Sequence, residues 1–229
     1  MPTESAASRG KRAGKIIDIL KARHPDAACS LDFQDPLQLL VATILSAQCT
    51  DQRVNIVTKD LFARYTTVEA YAKADPKKFE GEIRSTGFFR NKTKSILGAA
   101  RKLVDEFGGQ VPRTMEELLT LPGVARKTAN VVLGNAFGIN EGVVVDTHVS
   151  RLAVRLKLTD APKERADKIE QDLMALAPRD DWALFAHLLV FHGRNTCMAR
   201  KPDCAGCPVQ KLCPSAFTFG QEPPGKSKG

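Results

Sequence analysis

Nothing in the 229 residues reads as a membrane segment: no apolar stretch approaches the roughly 20 residues that a spanning helix needs. The N-terminal residues Met1 to Lys15 are polar and basic, without the apolar core of a secretory peptide. A chain that is not exported stays where thiols are kept reduced, so its six cysteines are not read as a disulfide framework. Alternating strand patterns are nearly absent too; the exception, Val143-Val144-Val145, is too short to seed a sheet. No internal repeat is evident. Acidic residues are the scarcer charge, 26 Asp+Glu against 34 Lys+Arg, which leaves a net +8. Such an excess points to a polyanionic partner, nucleic acid foremost. Part of it lies in the ends, where residues 1–14 are expected to be a disordered basic arm and 214–229 a disordered tail.

What is present is helical spacing almost throughout. Leu37, Leu40, Val41, Ile44 and Leu45 follow Asp35-Pro36, a good helix start. Ile96, Ala99, Ala100, Leu103, Val104 and Phe107 make a second stripe, stopped by Gly108-Gly109. Ala129, Val132, Leu133, Ala136 and Phe137 make a third, and further stripes run through Val149 to Leu156, Ala166 to Leu176 and Trp182 to Val190. Connectors are short and rich in Pro and Gly. The fold class is all-α.

Cys197, Cys204, Cys207 and Cys213 are spaced C-x6-C-x2-C-x5-C. Four thiolates this close together suit a shared metal centre. All-thiolate zinc sites usually pair two short knuckles, and only Cys204 and Cys207 make one here. The single-knuckle layout favours an iron–sulfur cluster, with structural zinc as the other reading.

Leu121-Pro122-Gly123-Val124-Ala125-Arg126-Lys127-Thr128 lies between a short helix near Thr114 to Leu119 and the longer stripe from Ala129. A Pro-Gly turn there exposes backbone N–H groups at a helix N-terminus, an anion site that suits a phosphate; an ordinary interhelical turn has the same composition. Lys127 falls in the first helical turn, where the positive dipole end disfavours its charged form and makes the amine a candidate for Schiff-base chemistry. A solvated surface lysine is the plain alternative. Downstream, Val143-Val144-Val145 carries Asp146 to the mouth of the next helix. Asp146 reads as a helix cap, as the acid/base partner of a poised amine, or as both.

These segments together resemble the endonuclease III family of helix-hairpin-helix DNA glycosylases. The likeness rests on L-P-G-V-A-R-K-T-A-N-V-V, V-D-T-H-V, the cysteine spacing and Leu45-Ser46-Ala47-Gln48-Cys49-Thr50-Asp51, and runs from about residue 15 to 213. It implies two helical domains with a DNA-binding cleft between them: a six-helix barrel over 30–139, and an iron–sulfur domain over 15–29 plus 140–213 with a [4Fe-4S] cluster on Cys197, Cys204, Cys207 and Cys213. It implies Lys127 as nucleophile and Asp146 as its acidic partner. The implied DNA-facing set is Gln48, Phe88, Leu121, Gly123, Ala125, Arg126, Thr128, His148, Arg200 and Lys201. The partner is double-stranded DNA with damaged bases or abasic sites. The activity is excision of oxidised pyrimidines of the thymine glycol class, with β-elimination of the strand, by a cytoplasmic, nucleoid-associated monomer.

Two residues depart from the family pattern. Ala125 stands where the hairpin usually has a second glycine; if that position needs positive φ or a close approach to phosphate, its methyl group is expected to weaken the phosphate grip without loss of function. Phe88 stands where a leucine wedge is usual, which bears on lesion range. A monofunctional mismatch glycosylase and a non-catalytic DNA-binding iron–sulfur protein are the alternatives, and Lys127 with Asp146 disfavours both.

Overall fold

The computed structural model describes residues 4–219. Among them it holds eleven α-helices and no strand: α1 Ala6–Arg23, α2 Pro36–Ser46, α3 Asp51–Arg64, α4 Val68–Ala72, α5 Pro76–Ile83, α6 Phe89–Phe107, α7 Met115–Leu119, α8 Arg126–Ala136, α9 Thr147–Arg155, α10 Ala166–Leu176 and α11 Trp182–Asn195. No helix among the described residues is long and apolar enough to cross a membrane. The chain divides into two compact units, one spanning Cys29–Glu141 and the other joining the residues up to Ala28 with those from Gly142 onward.

The Cys29–Glu141 unit contains α2 to α8. Its core is built from the sequence stripes: Leu40, Val41, Ile44 and Leu45 of α2, Ile96, Ala99, Ala100 and Leu103 of α6, and Ala129, Val132 and Leu133 of α8 are all buried. An aromatic cluster completes it, with the Tyr65 ring 5.0 Å from Tyr71 and 5.4 Å from Phe79. Side chains set most of the helix starts: Asp35, Thr50, Thr67, Asp75 and Thr114 each accept a backbone N–H at their helix N-terminus. Thr114 and Glu117 also bond side chain to side chain at 2.7 Å.

The other unit has its own core from α1, α9, α10 and α11. Here the structure corrects the reading of the N-terminus. The expected basic arm of residues 1–14 is helical from Ala6, with Ala13, Ile16, Ile17 and Leu20 buried. Gly10 and Gly14 lower the local helix preference, and docking overrides it. Arg12 Nη1 donates to Leu156 O at 2.7 Å and to Leu212 O at 3.3 Å, and its guanidinium also holds Glu4. Leu156 caps the C-terminus of α9, where a cation meets the negative end of the helix dipole. Of the expected tail, residues 214–219 form turns with Ser215 buried, and 220–229 lie outside the described residues, as do 1–3.

Candidate functional site

The turn from Leu121 to Ala125 joins α7 to α8 and is seated on α6. Leu121 and Val124 are buried, and Pro122 lies over Gly98 of α6. Gly123 has φ +78°, and a Cβ there would stand 2.4 Å from the Ser95 Cβ. Glycine is therefore required twice, for the left-handed backbone and for the close approach. Gly123→Ala is expected to cost about 2–4 kcal/mol, from left-handed strain plus overpacking. Denaturant unfolding measures it, and an unchanged midpoint would mean that the turn is loose on α6.

Ala125, the N-cap of α8, has φ −100° and ψ 170°, extended backbone that any residue adopts. The positive φ belongs to Gly123, so the missing second glycine costs nothing through φ. Ala125 also offers no side-chain acceptor to the helix. The first N–H groups of a helix lack an intrahelical partner, so this end suits an anion. Lys127 is exposed at the second position of α8, beside half-buried Thr128. Arg126, also exposed, donates from Nη2 to Glu141 O at 3.2 Å.

Asp146 is the N-cap of α9, as its position predicts: Oδ1 accepts from Val149 N at 2.8 Å, and the residue is half-buried. His148, two residues on, has Nδ1 3.2 Å from Arg151 Nη2. Arg151 in turn donates to Gly193 O at 2.9 Å and to Cys197 O at 3.2 Å. The helix that Asp146 opens is thus tied to the chain at the first of the four cysteines.

Cys197, Cys204, Cys207 and Cys213 form no disulfide, are all half-buried, and line one pocket with Arg155, His192 and Phe219. The loop around them is held locally: Asp203 Oδ1 accepts Gly206 N at 2.9 Å, and Cys197 N donates to His192 O at 2.8 Å. Arg155 Nη1 lies 3.4 Å from Cys197 Sγ and also donates to Met198 O at 2.7 Å; its Nη2 donates to Ala199 O at 2.9 Å. Its guanidinium stacks 4.3 Å from the Phe219 ring centroid. Burial pushes the Cys207 thiol up to about 11 and raises Cys213 as well. Among the described residues no group of three or more His, Cys, Asp or Glu is placed to hold one metal ion. Four thiols lining one pocket are a donor set that suits a thiolate-bound metal centre. Arg200 and Lys201 are exposed between the first two cysteines.

Residues 41–179 match the family model described as "HhH-GPD superfamily base excision DNA repair protein". Endonuclease III of Synechocystis is 60% identical over 210 residues, covering 92% of this chain and 95% of that protein. The chain belongs to the endonuclease III family. Endonuclease III of Escherichia coli is 36% identical, with 87% of this chain and 93% of that protein covered. The solved structure of a non-covalent endonuclease III–DNA complex matches with a TM-score of 0.85 at 39% identity, covering 95% of this chain and 98% of that one. A trapped endonuclease III–DNA covalent intermediate matches with the same TM-score, 0.85.

The two remaining residues that the endonuclease III resemblance singles out are exposed and have unusual backbones. Gln48 has φ 53° just after α2, and Phe88 has φ 46° at the N-cap of α6 with 61% of its surface exposed. A left-handed aromatic residue is uncommon, and an exposed one at a helix start is free to reach outward. The sequence reading missed Arg151, Arg155 and Phe219, because their partners are remote in the chain. The one local hint was the spacing of Arg151 and Arg155, which places both on one face of α9.

Proposed function

We propose that the protein is a DNA glycosylase with AP lyase activity that removes oxidised pyrimidines of the thymine glycol class from double-stranded DNA. Lys127 is the nucleophile and Asp146 its acidic partner. The observation that carries the reading is an exposed lysine on an uncapped helix N-terminus after a glycine-locked turn, in a chain 39% identical to an endonuclease III trapped covalently on DNA.

In this mechanism the Lys127 amine, once deprotonated, attacks C1′ of the damaged nucleotide with its lone pair. The glycosidic bond breaks, and its electrons leave with the base, which takes up a proton. The attached nitrogen gives up one proton, and its lone pair then opens the sugar ring; O4′ leaves C1′ and takes up a proton, so that a protonated Schiff base, still carrying one N–H, joins Nζ and C1′. That cation acidifies the C2′ proton, whose removal expels the 3′ phosphate by β-elimination. Water then releases the unsaturated sugar end and regenerates the lysine. Asp146, as a carboxylate, accepts the amine's proton and offsets the developing positive charge. The N–H groups at the start of α8 and the turn from Leu121 to Thr128 grip a phosphate. Arg126, His148, Arg200 and Lys201 add to the DNA-facing surface, and Gln48 and Phe88 face the duplex at the lesion.

Cys197, Cys204, Cys207 and Cys213 would hold a [4Fe-4S] cluster, one thiolate per iron. When bound, it supplies a structural crosslink, since neither chemical step is an oxidation or a reduction.

The decisive assay incubates the purified protein with a duplex carrying one thymine glycol. A strand cut 3′ to the lesion, bearing an unsaturated aldehyde end, is the expected product; base release without any cut would mean a monofunctional enzyme. The two roles of Asp146 separate by substitution. Asparagine caps helices as well as aspartate does, so Asp146→Asn is expected to slow single-turnover excision by about 10²–10⁴-fold at unchanged thermal stability. A fall in stability with full activity per folded molecule would reduce Asp146 to a cap.

A further inference from the structure

Lys92, in the first turn of α6, is a buried lysine with only 4% of its surface exposed. Its ammonium donates to two backbone carbonyls, Leu45 O at 2.7 Å and Thr86 O at 2.8 Å. The acceptors come from separate stretches of the same unit. Leu45 lies in the last turn of α2, whose final carbonyls lack intrahelical donors. Thr86 ends the short 3₁₀ turn Arg84–Thr86 that leads into α6. Both stretches then enter a left-handed non-glycine residue. Gln48, φ 53°, stands three residues past Leu45, and Phe88, φ 46°, two residues past Thr86. An unfavourable backbone persists only where its surroundings over-determine it, and the Lys92 ammonium bonds both stretches.

We infer that Lys92 is a positioning residue that locks the Gln48 and Phe88 turns into a single preset wedge for opening the duplex at the lesion. The inference rests on the proposed function, because it takes these two residues as the duplex-facing pair. The physical gain is preorganisation. Opening a base pair costs unstacking energy, and two side chains held in place before contact spend none of it on their own ordering. A methylene stem alone would fill the same space without fixing either carbonyl. Burial also lowers the pKa of Lys92, a cost that a purely space-filling residue would not carry.

The test uses the full-length, cluster-loaded protein and Lys92→Met, which keeps the stem and removes the ammonium. Single-turnover excision of thymine glycol, where the base must be unstacked, is expected to fall tenfold or more. Cleavage of a pre-formed abasic site, which has no base to extract, is expected to change less than threefold. In a background already carrying Gln48→Ala and Phe88→Ala, Lys92→Met is expected to add little, because its effect runs through those two residues. Equal losses on both substrates, no loss on either, or a full extra loss in the triple variant would each overturn the inference. If wild type fails on both substrates, the functional reading has failed and not the clamp. If Lys92→Met does not fold, hydrogen exchange of the wild type decides. One clamp requires the amides of residues 46–49 and 86–89 to open together at a common rate; separate rates overturn it.

Discussion

Replacement of Lys127 by alanine is expected to reduce both base excision and strand cleavage by about a thousandfold or more, the scale of losing a nucleophile. Affinity for an abasic duplex is expected to stay within about threefold, because the N–H groups of α8 and the turn on α6 do not depend on this side chain. The residue is exposed, so its removal opens no cavity and the fold is expected to stand. Single-turnover gels and binding titrations measure the two effects separately. Loss of binding in step with activity would assign Lys127 to the phosphate grip. Base excision at the wild-type rate would mean that another group attacks the sugar.

The second large effect is at the cysteines. Cys204→Ser is expected to give a protein without the yellow-brown colour of an iron–sulfur cluster. Its stability is expected to fall by more than about 4 kcal/mol, the range reached when a metal site is lost. The melting temperature would then drop by roughly 8–16 °C for a chain of this size. The physical reason lies in the loop. Between Cys197 and Cys213 the described residues have only short turns, with the single 3₁₀ turn Gln210–Leu212, so the cluster proposed on the four thiolates would be its main crosslink. DNA affinity is expected to fall as well, since Arg200 and Lys201 ride on that loop. Calorimetry, iron analysis and a binding isotherm report on all three. A colourless wild type containing one zinc would overturn the cluster assignment, and a variant as stable as wild type would remove the loop's structural role.

Where local chemistry decides, the sequence was readable. The stripe of α9, from Val149 through Leu152, Ala153 and Leu156, is buried along its whole length, because the period of 3.6 residues is a property of the chain alone. The Asp35 helix start and the Asp146 cap were visible for the same reason: donor and acceptor are three residues apart. Long-range partners were not. Residues 6–14 look like a solvated basic arm until Arg12 finds Leu156 and Leu212, 144 and 200 positions away. The burial of Lys92 leaves no mark on its neighbours, because Leu45 is 47 positions off. Arg155 reaches the first cysteine across 42 positions. At the hairpin the sequence showed the departure and mislocated its cost: the left-handed position is Gly123, and Ala125 is extended.

These contrasts bear on the candidate site itself. Lys127 and Asp146 were legible because each opens a helix, and helix starts are written in a few consecutive residues. The Gln48 and Phe88 positions came from family likeness; their left-handed backbones and shared tie to Lys92 emerged only from the fold. A site is read from sequence to the extent that its parts are local, and the structure supplies what holds the parts in register.

The central claim is that the Lys127 amine forms a covalent bond with the sugar, and borohydride reduction tests it most directly. Wild-type protein is mixed with a duplex carrying thymine glycol, and with a second duplex carrying an abasic site, in the presence of borohydride. The adduct is then digested and its modified residue mapped. The expected result is a stable protein–DNA adduct on both duplexes, with the DNA attached at Lys127. An adduct on the abasic duplex alone would change the lesion class and keep the chemistry. No adduct on either, from folded and cluster-loaded protein that binds DNA, would contradict the account.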